Sequence, residues 1–207
     1  MAQRYLPLKR LADIAAAGIL LVVLAPFFGL VAIIMKLTDH GPVFFSQKRS
    51  GLEGRPFTIY KFRTMGLNRR HDPFEYVAPE HEDITPLGRL LRRMKFDETP
   101  QVWNILNGDM SLIGPRPTVP EQVAKYNDFE RRRLEVRPGL TGLAQVHGGI
   151  TLSWPEKIKW DVYYVDHLRP MTDLRIFFKT FVVVLGGDKK FTRTIDQTHK
   201  ENHSAPR

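Results

Sequence analysis

"IAAAGILLVVLAPFFGLVAIIM", residues 14–35, carries no charged side chain and supplies the roughly 20 residues that a membrane helix needs. It is longer than the apolar core of a signal peptide, and residues 36–40 behind it lack the small residues of a cleavage site. A plain transmembrane helix fits the length but not Pro26, which sits mid-segment, removes a backbone donor and clashes with the preceding turn. Basic residues stand on both sides, with Arg4, Lys9 and Arg10 before the stretch and Lys36, Lys48 and Arg49 after it. Short positive flanks stay cytoplasmic, so both ends are expected on the same side. Together these features predict a re-entrant helix-break-helix over residues 11–37, turning at Ala25-Pro26, with a cytoplasmic part over 38–187.

The chain has 207 residues, 43% of them hydrophobic, which suits one domain with a real core, expected over 1–187. A formal net charge of +9 and a pI near 9.9 call for an anionic partner: nucleic acid, lipid headgroup or phosphorylated metabolite. There is no cysteine, which excludes disulfides, thiolate metal sites and cysteine nucleophiles. Residues 188–207 are polar and read as a disordered tail.

From Val43 to Met65, β-branched and aromatic residues flank a glycine-bounded turn at 51–54, the pattern of a β-hairpin. Residues 65–83 are polar and irregular, so His71, Asp72, His81, Glu82 and Asp83 read as a mobile surface loop rather than a metal site. Thr85 as N-cap and Pro86 at the first position open a helix with Leu87, Leu90, Leu91 and Met94 on one face. Arg89, Arg92, Arg93 and Lys95 give that helix dense positive charge. Further helices are expected over about 120–135, from Trp154 onward, and over 173–185. Trp160, Tyr163, Tyr164, Phe177, Phe178 and Phe181, near Arg175 and Lys179, suit a bilayer interface as well as an ordinary core. The expected class is α+β: an N-terminal re-entrant membrane helix, a small hairpin and several amphipathic interfacial helices.

"KFDETPQVWNIL", residues 95–106, sets Asp97 and Glu98 side by side before Thr99-Pro100 and an apolar helical run. Thr99 as N-cap, Pro100 at the first helical position and an acid near the positive helix end account for one carboxylate. The second asks for chemistry. Asp97 stands between the cationic end of one helix and the start of the next, a setting expected to keep it ionised. Gly114-Pro115-Arg116-Pro117 leaves few backbone conformations to Arg116. "RPGLTGLAQVHGG", residues 137–149, is glycine-rich, and its amides could approach a phosphate, but its spacing is not that of a P-loop.

In this order the pieces resemble the bacterial sugar transferase family, the small monotopic phosphoglycosyl transferases that begin lipid-linked glycan assembly. The resemblance runs from about residue 9 to 185. It is carried by the proline-broken apolar segment, "YKFRTM" (60–65), "DETPQ" (97–101), "NGDMSLIGPRP" (107–117), "RPGLTGLAQVHG" (137–148) and "WDVYYV" (160–165). It implies transfer of a sugar phosphate from a UDP-sugar to a polyprenol phosphate such as undecaprenyl phosphate, with release of UMP. The implied place is the cytoplasmic face of the bacterial inner membrane, at the first step of exopolysaccharide, capsule, O-antigen or glycoprotein assembly. Position by position, it makes Asp97 the nucleophile on the β-phosphate and Glu98 a ligand of Mg²⁺, with Asp97 beside it in the metal site. Arg92 and Arg116 match positions contacting phosphate or nucleotide. Arg63 and Arg137, with Lys61 and Pro115 in the same motifs, are the further substrate-binding candidates. The physics agrees, because a carboxylate attacks phosphorus only if the diphosphate charge is offset, as a hard cation and arginines do.

Two departures stand out. Phe96 and Thr99 replace flanking residues of the usual "LDELPQ", and His147-Gly148-Gly149 stands where many members have Asn-Gly-Arg. The sugar, the acceptor, the glycan pathway and self-association as a homodimer stay open. Two other classes compete. A basic membrane-surface protein without chemistry would tolerate Asn and Gln in place of Asp97 and Glu98. A nucleic-acid binder fits the pI, but the arginines are scattered among loops and no nucleic-acid module is present, so no nucleic-acid partner is expected.

Overall fold

The computed structural model describes residues 2–38, 40–67, 81–186 and 188–195. Helix α1 (Ala2–Thr38) runs for 37 residues and is long and apolar enough to cross a membrane. One stripe of it, through Lys9, Asp13, Ala17, Val31 and Met35, is buried at helical spacing, while Leu11, Ile19, Val22, Val23, Leu30 and Ile33 are exposed. The helical assignment begins at Ala2 and passes through Pro26 without interruption, so the secondary structure has no break at Ala25-Pro26, unlike the helix-break-helix expected over 11–37. The reason is local: Pro26 removes only the donor that would serve the Val22 carbonyl, and a helix absorbs one such loss by bending rather than ending.

Strands β1 (Phe44–Ser50) and β2 (Pro56–Phe62) form the expected antiparallel hairpin, registered from Phe44 opposite Phe62 to Ser50 opposite Pro56. Its turn places Glu53 and Gly54 at φ 56° and 76°. At the other end Phe62 packs edge-on against Phe27 and Phe28 of α1, at centroid distances of 6.4 and 5.3 Å. Helix α2 (Pro86–Arg93) starts where its cap signal lies, with Thr85 Oγ1 accepting from Gly88 N at 3.0 Å.

A 3-10 turn over Phe96–Gln101 leads into α3 (Val102–Asn107). Strand β3 (Ser111–Ile113) pairs in parallel with β4 (Gly139–Thr141). Between them, the single helix expected over 120–135 is instead two short ones, α4 (Pro120–Val123) and α5 (Asp128–Arg131). The break is chemical: Asn127 and Glu130 form a reciprocal capping box, which starts a new helix there.

Helices α6 (Leu143–Val146), α7 (Trp154–Asp166) and α8 (Pro170–Gly186) complete the fold. Trp160 and Tyr164 are 2% and 1% exposed, so they belong to the core, whereas Phe177, Phe178 and Phe181 face outward from α8. Asp173 of α8 accepts from Tyr5 Oη at 2.7 Å, Lys9 Nζ at 2.6 Å and Tyr164 Oη at 2.7 Å, which joins α1, α7 and α8 at one buried carboxylate. Phe191 and Ile195 pack on this core, and Trp160 Nε1 donates to the Arg193 carbonyl at 3.0 Å. The polar tail expected from residue 188 is therefore folded in its first part, because indole and apolar side chains hold it. Residues 196–207 lie outside the described residues, as do His71 and Asp72.

The glycine-rich stretch serves chain crossing. A Cβ on Gly139 would lie 2.1 Å from Gly114 N, and one on Gly142 would lie 2.1 Å from Gly114 O. The Gly139 amide donates to the Pro115 carbonyl at 2.9 Å, so these backbones hold the turn that carries Arg116.

Candidate active site

The two acids reach the surface of this scaffold through a tight turn. Lys95 adopts a left-handed conformation, φ 56°, and the 3-10 turn after it holds Asp97 and Glu98 inside its first residues rather than ahead of a helix. Thr99 is not the N-cap: its hydroxyl donates to the Phe96 carbonyl at 2.7 Å, and Pro100 lies inside the turn. Strand β2 lies alongside, and alternation puts Ile59 and Lys61 on the same face.

Glu98 is clamped by cations from two elements. Its Oε1 accepts from Lys61 Nζ at 2.6 Å and from Arg116 Nη2, and its Oε2 accepts from Arg116 Nη1 at 2.9 Å. The forked arrangement gives both charge and direction to the Arg116 guanidinium. Burial pushes the Glu98 carboxyl up, but Arg116 and then Lys61 outweigh it and hold the group well below the usual carboxylate range. Asp97 goes the other way. Burial and then the Glu98 charge push its carboxyl up, against Lys61, Arg92 and Arg116. Its neighbours therefore do not simply keep it ionised, as the helix ends alone suggest.

The remaining sequence candidates separate into two groups. Arg92 donates from Nε to Thr64 Oγ1 at 2.9 Å, and its charge acts on Asp97. Arg63 is 8% exposed and donates to the backbone carbonyls of Pro42 and Met65, at 2.7 and 3.1 Å, so it braces the chain after β2. Arg137 donates to the Gly108 carbonyl at 2.9 Å, and buried Pro115 offers its carbonyl to Gly139. The structure thus gathers Asp97, Glu98, Lys61, Arg116 and Arg92, and gives Arg63, Arg137 and Pro115 backbone partners. His147 stacks on Trp160 at 4.0 Å, and burial, then Lys179, push its imidazole down to about 4, so it packs as a neutral ring.

Two residues escape the sequence reading. Arg49 and Gln101 line a cleft with Lys61, Ile59, Arg116 and Pro117. For Arg49 the signal was present, because hairpin pairing opposite Phe57 turns it to the face of Ile59 and Lys61.

Among the described residues no group of three or more His, Asp or Glu side chains is placed to hold a metal. Asp97 and Glu98 are of the donor type used by a Mg²⁺ that takes one or two carboxylates and completes its shell with water and phosphate oxygens, although both Glu98 oxygens already accept from Lys61 and Arg116. Both offer hard oxygens at adjacent positions.

The sequence matches the family model "Bacterial sugar transferase" over residues 4–187. It is 43% identical over 178 residues to the uncharacterized sugar transferase EpsL of Bacillus subtilis, covering 86% of this chain and 87% of that one. It is 38% identical over 189 residues to the UDP-N-acetylgalactosamine-undecaprenyl-phosphate N-acetylgalactosaminephosphotransferase of Aeromonas hydrophila, covering 88% of this chain but 45% of that one. A UDP-glucose:undecaprenyl-phosphate glucose-1-phosphate transferase of Caulobacter vibrioides is 38% identical over 200 residues, covering 88% of this chain and 72% of its own length. The clamped acid pair, the Arg116 turn and the apolar first helix all fall inside the matched region, and the chain belongs to the bacterial sugar transferase family.

Proposed function

We propose that this transferase moves a sugar phosphate from a UDP-sugar to a polyprenol phosphate and releases UMP, with Asp97 as the covalent nucleophile. The observation that carries this reading is a half-buried carboxylate beside Glu98, with Lys61, Arg92 and Arg116 converging on the pair. In the first step an Asp97 oxygen bonds to the β-phosphorus, the bond from that phosphorus to the bridging oxygen breaks, and UMP leaves. In the second step a polyprenol phosphate oxygen attacks the same phosphorus, and the acyl phosphate bond breaks to free Asp97. Lys61 and Arg116 hold Glu98 ionised and directed, and Arg92 adds positive charge beside Asp97 as the phosphoryl group approaches. Asp97 and Glu98 would hold Mg²⁺, whose contribution when bound is to offset the charge of the diphosphate.

A panel of UDP-sugars given to the membrane-bound enzyme with polyprenol phosphate is expected to show UMP release with at least one sugar. Chelation should stop turnover and added Mg²⁺ restore it, while Glu98→Gln should raise the Mg²⁺ requirement or end activity. Undiminished Glu98→Gln turnover at limiting Mg²⁺ removes Glu98 from the metal site.

The membrane arrangement that goes with this function is monotopic, with both ends of α1 and the catalytic part on the cytoplasmic face. What supports it is that both halves of α1 pack on one body. Lys9 and Arg10 bond Asp173 and the Ile105 and Leu106 carbonyls, while Val31 and Met35 pack with Phe62 and Leu91. A straight helix of this length would extend about 55 Å, more than a bilayer core. Single cysteines in place of exposed Leu8 and Leu37 should both be labelled from the cytoplasmic side, since the chain has no native cysteine. Labelling from opposite sides ends the monotopic reading.

A further inference from the structure

Arg49 stands on β1 opposite Phe57, on the strand face shared with Ile59 and Lys61. With Lys61 and Arg116 it lines a cleft bounded by Ile59, Gln101 and Pro117. Its Nη2 donates to Gln47 Oε1 at 2.6 Å, while its Nε is buried without a hydrogen-bond partner. A guanidinium N–H withdrawn from water and left unbonded is disfavoured, and an acceptor that enters the cleft removes the penalty. Crowding points the same way. Burial and then the Arg116 charge push the Arg49 guanidinium down to about 10, with Glu98 and Glu121 offsetting only part of this.

The geometry points to Arg49 as the third arm, with Lys61 and Arg116, of an oxyanion subsite that takes a phosphoryl group of the substrate. Lys61 and Arg116 already bond Glu98, so their charges are directed toward the acid pair. Arg49 lines the same cleft and keeps a buried N–H without a partner, the kind of donor that a phosphate oxygen accepts from. The subsite rests on the phosphotransfer reading above. Two sources carry the same chemistry: the diphosphate of the nucleotide sugar and the phosphate monoester of the lipid acceptor.

The test uses the full chain in detergent and inorganic pyrophosphate as the probe. Calorimetry should show wild-type binding, a loss of about tenfold or more in Arg49→Met, and partial recovery in Arg49→Lys, as a charge-assisted bond predicts. Arg49→Met gives up the Nη2 bond to Gln47 but also removes a buried, unbonded N–H, so the unliganded unfolding temperature should stay close to that of the wild type; Arg49→Gln serves as a second neutral variant. No pyrophosphate binding by the wild type, or affinity within twofold of it in both neutral variants, overturns the subsite. Steady-state kinetics then separate the sources. A raised KM for the UDP-sugar alone assigns the donor diphosphate, a raised KM for polyprenol phosphate alone assigns the acceptor, and no rise in either overturns the subsite. If no UDP-sugar yields UMP while pyrophosphate binding still depends on Arg49, the transfer reaction falls and the subsite stands.

Discussion

Asp97→Asn is expected to lower turnover by about a thousandfold or more and to abolish covalent capture of substrate phosphate. The substitution keeps shape and volume, so the 3-10 turn and the Glu98 clamp should persist while the attacking oxygen is lost. Enzyme incubated with a UDP-sugar labelled in its β-phosphate, without acceptor, should retain label, release UMP, and lose the label in hydroxylamine. The Asn variant should retain none. Label on Asp97→Asn, or UMP appearing only after acceptor is added, would transfer the nucleophile's role elsewhere. Because burial and the Glu98 charge raise the Asp97 carboxyl, the labelling rate should fall as pH drops through its titration and more protein carries a protonated acid.

Gly139→Ala is expected to damage the fold severely. Its new methyl would sit 2.1 Å from Gly114 N and 2.6 Å from Gly114 O, both backbone atoms that cannot rotate away. Separating β3 from β4 should cost roughly 3 kcal/mol or more, a large share of a typical domain's stability. The damage should reach catalysis too, since Gly139 N bonds the Pro115 carbonyl next to Arg116. Gly29→Ala is the control: nothing lies within 4 Å of its Cβ position. Replacing a mid-helix glycine there should leave stability unchanged or raise it by up to about 1 kcal/mol. Denaturant unfolding of both variants in one detergent checks the contrast, and equal stability of the two would show that β3 and β4 do not approach so closely.

Features written in neighbouring residues were legible in the sequence. The Thr85 cap, the turn of the hairpin and the opening of α7 at Trp154-Pro155 each depend on a few adjacent positions, and each lies where its signal is. The Asn127–Glu130 capping box was also written locally, but it lies inside a stretch expected to form one helix over 120–135. Thr99 failed as a cap because the turn starts earlier, at Phe96, under a left-handed Lys95 that nothing in the residue type announces. The acid pair and Arg116 were visible as motifs. What Arg63 and Arg137 do was not, because their partners are backbone carbonyls, and a carbonyl has no residue identity to read. Trp160 and Tyr164 differ from Phe178 only in which way their helices face, and that is settled by packing across the whole chain.

The carboxylate of Asp173, bonded by Tyr5 and Lys9, has a consequence for the order in which the molecule can be made. Its partners are separated from it by 168 and 164 positions. Synthesis runs from the N-terminus, so α1 emerges long before the group that receives its lysine exists. During that interval the apolar helix must be accommodated by lipid or a chaperone, with Lys9 still in contact with water or headgroups. The clasp closes only after α8 has been made, which gives the fold a late, non-local final step. A chain halted after α7 would leave Lys9 without its carboxylate, and in such a fragment α1 should remain open to proteases.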